Sequence, residues 1–255
     1  FVVGPAVGGV LGNISLRLPF WVAAGLSLAN AAYGLFVLPE SLPTEKRTRT
    51  SLRKANPLAS LELLWSTPGI GVLAVASFFY FLAHESLPST LVLYTQFRDH
   101  WTERTTGVAL AIVGVSSALV SALLVGRFVS ALGERGALAL GLVSGVAAFA
   151  IFGFAPTTML FMTAIPVDAL FGLASPTMQA LMSQRVEPSA QGRLQGAVSS
   201  MRGVAGMIGP IVFTQIFARS IHGHGALPGA TFLVAAGLVA TSFVAVLAGA
   251  RRRVG

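Results

Sequence analysis

Four ionisable side chains interrupt long apolar stretches of the sequence. His84 and Glu85 stand in FFYFLAHESLPST, Asp168 stands in AIPVDALFGLASP and Arg202 stands in SSMRGVAG. A carboxyl group held away from water can bind and release a proton as its surroundings change, and an imidazole can relay one. These four side chains are candidates for proton exchange or ion pairing inside the protein, and the amide of Gln179 is a neutral candidate for lining the same interior.

The neighbours of these side chains favour the same interpretation. Pro88 follows Glu85 by three positions, and Pro166 and Pro176 flank Asp168. Prolines break or kink helices, and membrane transporters place their sites at such breaks. Successive helical residues point about 100° apart, so we expect one of His84 and Glu85 to face a cavity and the other a neighbouring helix. Glu85 is favoured as the coupling group because His84 beside it can assist proton entry. Interhelical hydrogen bonding remains the structural alternative for both carboxyl groups.

Other kinds of chemistry find no support in the sequence. No Cys occurs, which excludes disulfides and thiolate metal sites. A G-x-S-x-G nucleophile motif and a G-x-x-x-x-G-K-[ST] phosphate loop are both absent, which argues against a serine hydrolase and against ATP as the energy source. We therefore expect neither an enzyme nor a bound metal or cofactor.

The composition indicates that much of the chain is solvated by lipid. Hydrophobic residues make up 54% of the chain and charged residues 10%, whereas a soluble domain carries about 25% charged residues. Several uncharged runs exceed the roughly 20 residues that a helix needs to cross hydrocarbon, and they do not alternate as the strands of a membrane barrel do. The longest single-span runs lie between Arg17 and Glu40 (22 residues), Arg104 and Arg127 (22 residues), and His224 and Arg251 (26 residues).

The sequence therefore predicts an all-α membrane protein with eight spans, of which the first is incomplete. The predicted spans are Phe1–Gly12, Leu18–Leu38, Gly69–Thr95, Thr105–Gly126, Ala137–Phe154, Thr158–Met182, Leu194–Ile216 and Leu227–Ala250.

Basic residues fall mainly on one side of these spans. Twelve Lys and Arg residues lie on the side of residues 39–68 and the C-terminus, and four lie on the other side. Because cytoplasmic loops are enriched in Lys and Arg, the segment 39–68 and the C-terminal Arg251–Arg253 are predicted to be cytoplasmic. The same rule explains the net charge of +8 without a nucleic-acid partner. The basic stretch of 39–68 is interpreted as a solvated linker, with a lipid-headgroup contact as the alternative and a short interfacial helix at SLELLW.

Two glycine-rich spans carry a Gly-Pro pair. The first contains Gly4, Pro5, Gly8 and Gly9, and the second contains Gly209 and Pro210, 205 residues further along. Small residues allow helices to approach closely, and Pro kinks them. Either run alone is explained by helix packing, but the pair suggests a parallel internal repeat of two similar bundles.

Three blocks of sequence resemble the major facilitator superfamily, in particular its tetracycline-resistance branch of drug/proton antiporters. GPAVGG resembles the end of the antiporter motif in helix five, and GRFVSALGERGALALG resembles the cytoplasmic motif between helices eight and nine. The segment 174–210 is similar to the region of helices ten and eleven. The motif positions carried over are Gly4, Pro5, Gly8, Gly9, Gly126, Arg127, Gly133, Arg135, Gly209 and Pro210.

This resemblance implies a major facilitator fold in which the chain supplies helices five to twelve and lacks helices one to four. Residues 1–38 would be the last two helices of an N-terminal bundle, 39–68 the linker, and 69–255 a six-helix C-terminal bundle with a basic tail. The sequence departs from the branch at three positions: Ser130 replaces an Asp of the loop motif, Gly145 aligns with an Asp of helix nine, and Ser117 aligns with a His of helix eight.

The implied function is secondary active transport, by alternating access, of a drug-like or small organic molecule out of the cell in exchange for protons. Uptake of a metabolite or sugar, a non-transporting scaffold or receptor-like protein, and an intramembrane enzyme are the alternatives. The resemblance implies a multi-pass protein of the bacterial inner membrane, acting as a monomer in the lipid bilayer, with protons and a small-molecule substrate as its partners. The chain lacks two polar groups of the branch, at positions 117 and 145, so the resemblance does not identify the substrate.

Overall fold

The structure is a computed structural model that describes residues 11, 14–15, 17–38, 57–67, 69–222 and 227–251. Within these residues the secondary structure is helical, with no β-strand. The helices are α1 (Leu18–Phe36), α2 (Pro57–Ser66), α3 (Ile70–His84), α4 (Ser86–Asp99), α5 (Glu103–Leu119), α6 (Val125–Phe154), α7 (Thr158–Phe171), α8 (Ala174–Ser183), α9 (Gln191–Ser220) and α10 (Ala230–Arg251). A π-helical turn, Val120–Leu124, joins α5 to α6, and a short 3₁₀ turn, Pro188–Ala190, precedes α9.

The chain divides into two compact units, residues 1–49 and residues 50–255. The first unit contains α1, a 19-residue apolar helix that has Pro19 in its first turn. Proline is well accepted there because the first N–H groups of a helix have no partner within the helix. The second unit contains all the other helices, and the boundary between the units falls inside the predicted linker.

Six helical stretches of the described residues are long and apolar enough to cross a membrane. One of them, Thr105–Phe154, has 50 residues, which at about 1.5 Å per residue is far longer than the roughly 30 Å of hydrocarbon. Gly133 interrupts it with φ 69° and ψ 168°, a backbone conformation that is not helical. The stretch therefore makes two crossings joined at Gly133, and the predicted all-α membrane architecture is confirmed.

Prolines set the breaks within two of the predicted spans. A proline removes one backbone hydrogen bond and its ring crowds the carbonyl four residues earlier. Pro88 lies four residues after His84, where α3 ends, and α4 begins after Glu85. Pro176 lies four residues after Gly172, where α7 gives way to α8. Each break therefore follows from the position of a proline one turn downstream.

Hydroxyl groups satisfy backbone carbonyls around both breaks. Ser86 Oγ donates to the carbonyl of Ala83 at 2.7 Å, and Thr90 Oγ1 donates to the carbonyl of Ser86 at 2.7 Å. At the second break, Thr177 Oγ1 donates to the carbonyl of Leu173 at 2.6 Å. A membrane interior supplies no water for these oxygens, so polar side chains take its place.

The C-terminal helix α10 packs along α3 and α6 and closes the bundle of the second unit. Ser242 Oγ on α10 donates to the carbonyl of Ala76 on α3 at 2.9 Å. At the opposite end of α10, the backbones of Gly229 and Gly153 are in direct contact. A Cβ atom added to Gly229 would lie 1.9 Å from the carbonyl oxygen of Gly153. Glycine is required here because no side chain fits between the two backbones.

Part of the predicted linker is a docked helix. Helix α2 covers residues 57–66 and packs against α9 and α3, with Leu63 and Leu64 buried and Trp65 exposed. The short helix predicted at SLELLW is confirmed. The expectation of a solvated linker fails for this part, because Leu63 and Leu64 of α2 pack on an apolar surface of the bundle. Residues 39–56, with the basic stretch, lie outside the described residues.

The glycine contact gives a stability prediction. We expect Gly229→Ala to lower the free energy of unfolding by about 1–3 kcal/mol or more, the usual cost of forcing extra atoms into a packed site. Gly237→Ala, inside α10 and eight residues after Gly229, is the control, because a Cβ atom there meets nothing within 4 Å. Thermal unfolding in detergent measures both variants. Equal midpoints for the two would show that the Gly153–Gly229 contact is not tight.

Candidate functional site

A small cavity lies inside the second unit, where α3, the α5–π-turn segment and α7 meet. Its volume is about 80 Å³. Side chains of three kinds line it: aromatic rings, hydroxyl groups and ionisable groups. The lining residues are Tyr80, His84, Ser117, Ser121, Asp168, Ala169, Phe171 and Gly172.

Asp168 is the ionisable group that this cavity leaves without a partner. Its Oδ1 atom is fully enclosed and accepts no hydrogen bond from any described residue. Burying a polar atom without a hydrogen bond costs free energy, and a carboxylate costs more than the neutral acid. Natural membrane proteins keep such a group where it binds an ion, a proton or a ligand. The isolation of this oxygen marks Asp168 as the centre of the candidate site.

Aromatic rings form the wall beside Asp168. The ring of Tyr80 lies parallel to that of His84, with their centroids 6.2 Å apart, and it contacts the ring of Phe171 at 4.4 Å. Tyr80 and Phe171 are buried, whereas His84 is exposed at the edge of the cavity. Tyr80 and His84 are four residues apart on α3, so they share one face of the helix. The wall therefore carries one imidazole, at its exposed edge.

Glu85 points away from this cavity and towards α9. A Cβ atom added to Gly209 would lie 2.4 Å from Cβ of Glu85, and one added to Gly206 would lie 3.8 Å from its Oε1 atom. Two glycines of α9 thus leave room for the Glu85 side chain. His84 faces the cavity and Glu85 faces the neighbouring helix, so the two adjacent side chains point in different directions.

Arg202 and Gln179 lie outside the cavity. The guanidinium of Arg202, on α9, sits over the ring of Phe81 on α3, with Cζ 4.8 Å from the ring centroid, a favourable cation–π arrangement. Among the described residues Arg202 forms no ion pair with a carboxylate. Its charge is nevertheless within electrostatic range of His84 and Tyr80. Gln179 is half-buried on α8 and does not line the cavity.

Phe171 occupies the space next to Gly145. A Cβ atom added to Gly145 would lie 2.3 Å from Cδ2 of Phe171. An aspartate, such as the resemblance places at this position of helix nine, would collide with that ring. The absence of a side chain at Gly145 therefore leaves the space that the ring of Phe171 fills. Asp168 on α7 is the carboxyl group that lines the cavity.

The motif residues are spread over both units. Gly4, Pro5, Gly8 and Gly9 lie outside the described residues. Gly209 and Pro210 are inside α9, where Gly209 contacts Glu85. Gly126 and Arg127 are exposed near the start of α6, and Gly133 makes its bend. Arg135 follows the bend and lines a second cavity, apart from that of Asp168.

Ser121 is a further cavity residue, four positions after Ser117. It belongs to the π-helical turn Val120–Leu124, where the N–H of Val125 donates to the carbonyl of Val120, five residues earlier. Turns of this kind are rare and are found frequently at functional sites. Residues four apart share one helix face, so the position of Ser117 is the sequence signal that could locate Ser121.

Comparisons with known proteins concern the family and the fold of the chain. Residues 1–210 match the model of the Major Facilitator Superfamily. Tetracycline resistance protein, class C, of Escherichia coli is 31% identical over 222 residues, which are 86% of this chain and 55% of that protein. The class G protein of Vibrio anguillarum is also 31% identical, over 92% of this chain and 59% of that protein. The chain thus spans little more than half the length of these curated relatives.

One solved structure shares the fold. The crystal structure of the human organic anion transporter MFSD10 (TETRAN) matches with a TM-score of 0.82, covering 96% of this chain and 60% of that chain. The sequence identity is 22%, so this likeness concerns the fold alone.

The contact between Gly145 and Phe171 gives a second prediction. Gly145→Ala forces the ring of Phe171 to move, so we expect it to destabilise the protein by about 1–3 kcal/mol. Phe171→Ala leaves a cavity and costs about 3–5 kcal/mol. The double variant is expected to be more stable than the sum predicts, with a coupling of about 0.5–3 kcal/mol, because the clash has gone. Unfolding in detergent measures the cycle, with Gly203→Ala as the unhindered control. Strict additivity would contradict the contact.

Proposed function

Because the chain belongs to the Major Facilitator Superfamily, we propose that it acts in a proton-coupled efflux transporter for a drug-like or small organic molecule. The family consists of transport proteins and not enzymes, in keeping with the absence of catalytic motifs from the sequence. Proton-driven exchange by alternating access is the specific activity proposed for the protein that contains this chain.

The observation that carries the proposal is the enclosed, unpartnered carboxyl oxygen of Asp168 in a cavity at a helix break. A proton is the smallest ligand that can satisfy this oxygen. When the cavity is closed to water, the neutral acid is the less costly form. When the cavity opens, water can stabilise the carboxylate and the proton leaves. Alternation of the cavity between these two conditions exchanges one proton for each opening and closing.

The neighbours of Asp168 have separate roles in this scheme. His84, exposed at the edge of the cavity, passes protons between solvent and the carboxyl group. Ser117 and Ser121 supply hydroxyl groups that can donate to the carboxylate when it forms. Glu85, in contact with α9, is the second candidate for coupling, through the packing of α9 on α3.

The relatives support efflux as the direction of transport, since two of them are named as tetracycline resistance proteins. The proposal stops short of tetracycline as the substrate of this chain. Ser117 and Gly145 stand where the resemblance implies a His and an Asp in that branch, and Phe171 fills the space beside Gly145. The aromatic wall of Tyr80 and Phe171 suits a flat, partly apolar molecule.

The remaining proposals concern organisation. Residues 1–38 are proposed to belong to an N-terminal bundle, 39–68 to a cytoplasmic connection and 69–255 to the C-terminal bundle. The protein is proposed to work as a monomer in the bacterial inner membrane. The two bundles rock about a site at mid-membrane depth, as in other transporters built from repeated bundles.

Substitution of the carboxyl group tests the coupling. In the protein at its natural length, Asp168→Asn should lower efflux driven by a pH gradient by roughly 5- to 150-fold, the range that a coupling free energy of about 1–3 kcal/mol produces. Exchange of substrate without a gradient should persist, because the amide keeps the size of the side chain. Uptake of tetracycline, or of dyes of positive, neutral or negative charge, from the medium into everted membrane vesicles provides the measurement.

Two further variants sharpen this test. Glu187→Gln, at an exposed carboxylate before the 3₁₀ turn, removes a charge outside the membrane and should pump normally. Glu85→Gln distinguishes Asp168 from Glu85 as the coupling group. If Glu85→Gln alone abolishes pumping, the coupling site lies at the contact between α3 and α9. Normal pumping by both amide variants would show that proton coupling does not depend on this part of the protein. If intact cells accumulate the substrate and are not protected from it, the direction of transport is uptake. If no probe is transported, a non-transporting scaffold is favoured.

Cysteine labelling tests the proposed orientation, since the chain has no Cys of its own. A single cysteine at Gly223 should react with a membrane-impermeant maleimide in intact cells, whereas one at Ser51 should react only after the membrane is permeabilised. The reason is the excess of basic residues on the side of Ser51. Labelling of Ser51→Cys from outside would reverse the topology.

A further inference from the structure

The cavity around Asp168 has more oxygen atoms in its lining than a single proton satisfies. Asp168 Oδ1 is enclosed and forms no hydrogen bond with any described residue. Ser117, on α5, and Ser121, in the π-helical turn, line the same cavity and each carries a hydroxyl group. A proton bound to the carboxyl group satisfies one oxygen atom of this set, so the other oxygen atoms are free to bind a further ligand.

Neither serine hydroxyl is bonded to the backbone of its own helix. Elsewhere in the bundle, the hydroxyl groups of Thr90, Ser200 and Thr214 each donate to the carbonyl four residues earlier, at 2.6–2.9 Å. Among the described residues Ser117 and Ser121 form no such bond, and no hydrogen bond joins either hydroxyl to the Asp168 carboxyl group. The three polar side chains therefore border one space that none of them fills.

The break between α7 and α8 adds a backbone oxygen atom to this set. Gly172 lines the cavity, and Pro176, four residues later, has no N–H group to donate to the carbonyl of Gly172. Asp168 lies in the last turn of α7, which ends at Phe171. Carbonyl groups at the C-terminal end of a helix carry partial negative charge, which favours a cation. Other transporters coordinate sodium with carbonyl groups at the ends of broken helices.

The size and charge of the cavity favour a small monovalent cation. A volume of about 80 Å³ holds an ion and about two water molecules, since each water takes roughly 30 Å³. A drug-sized molecule needs about 300–1,000 Å³. Asp168 is the single acidic residue in the lining, so its carboxylate balances one positive charge, and a divalent ion would leave the second charge uncompensated inside the bundle. Oxygen ligands suit hard cations, and sodium needs fewer of them than the larger potassium ion.

From these observations we infer that the cavity binds a sodium ion, held by the carboxylate of Asp168, the hydroxyl groups of Ser117 and Ser121 and the carbonyl of Gly172. Water molecules complete the coordination. The described residues contain no cluster of three His, Cys, Asp or Glu side chains, which argues against a transition metal here. Sodium binding rests on the proposed function in one respect, because the cavity must open to water for the ion to enter. Sodium and a proton are alternative ligands of the same carboxylate.

Binding of radioactive sodium to the purified protein at its natural length, in detergent, tests this site without any transport. Sodium chloride is expected to displace the label and to raise the thermal unfolding midpoint, whereas potassium chloride and choline chloride at the same ionic strength do neither. Asp168→Asn should abolish binding. Ser117→Ala and Ser121→Ala should each weaken it by at least about fivefold, the loss expected for one polar contact of ordinary strength. Ser116→Ala is the matched control, because Ser116 is adjacent on α5 and does not line the cavity.

The possible outcomes keep the sodium site and the proton coupling distinct. If Asp168→Asn fails to fold, the two serine variants decide the matter against Ser116→Ala. Equal effects of sodium, potassium and choline chloride, or unchanged sodium binding in both serine variants, would overturn the site. Loss of gradient-driven efflux in Asp168→Asn without any sodium binding by the unsubstituted protein would overturn the sodium site and keep the proton coupling. Sodium binding that Asp168→Asn abolishes, together with normal efflux by that variant, would support the sodium site and overturn the proton coupling.

Discussion

A membrane interior offers no water to backbone N–H and C=O groups, and this constraint governs the structure. Prolines such as Pro88 and Pro176 open the helices, and each opening exposes polar atoms that must be satisfied. Hydroxyl groups of Ser86, Thr90 and Thr177 bond to carbonyls at these places. These local hydrogen bonds satisfy carbonyl groups at the breaks, where the regular helical bonds are interrupted.

Phe171 connects the candidate site to the core. Its ring contacts Tyr80 at 4.4 Å on the cavity side and Phe149 at 5.6 Å on the core side, and it packs over Gly145. The cavity wall is therefore continuous with the aromatic core of the bundle. A rearrangement of α7 that moves Asp168 must also move this ring, so the position of Asp168 and the packing of the core are physically linked. Glycine at position 145 and phenylalanine at position 171 act as one unit.

Hydropathy and charge predict the spans because lipid imposes a simple rule on length and polarity, and the comparisons confirm the family. The sequence also predicts that His84 and Glu85 diverge, but not which of them faces the cavity, because that depends on the two glycines of α9. The docking of Leu63 and Leu64 escapes prediction for a similar reason. It depends on contacts between segments far apart in the chain, and local periodicity carries no information about such contacts.

The π-turn at Val120–Leu124 has a consequence for how the protein is compared with others. Each residue of a regular α-helix turns the chain by about 100°, so one additional residue accommodated in a wide turn rotates everything on one side relative to the other. Across this turn, counting residues no longer tells which side chains point the same way. Two related proteins can therefore agree letter by letter on both sides of the turn and still present different faces to the cavity, if one has the wide turn and the other does not. Substrate preference can thus diverge through a change of a single residue in length, with every lining residue retained.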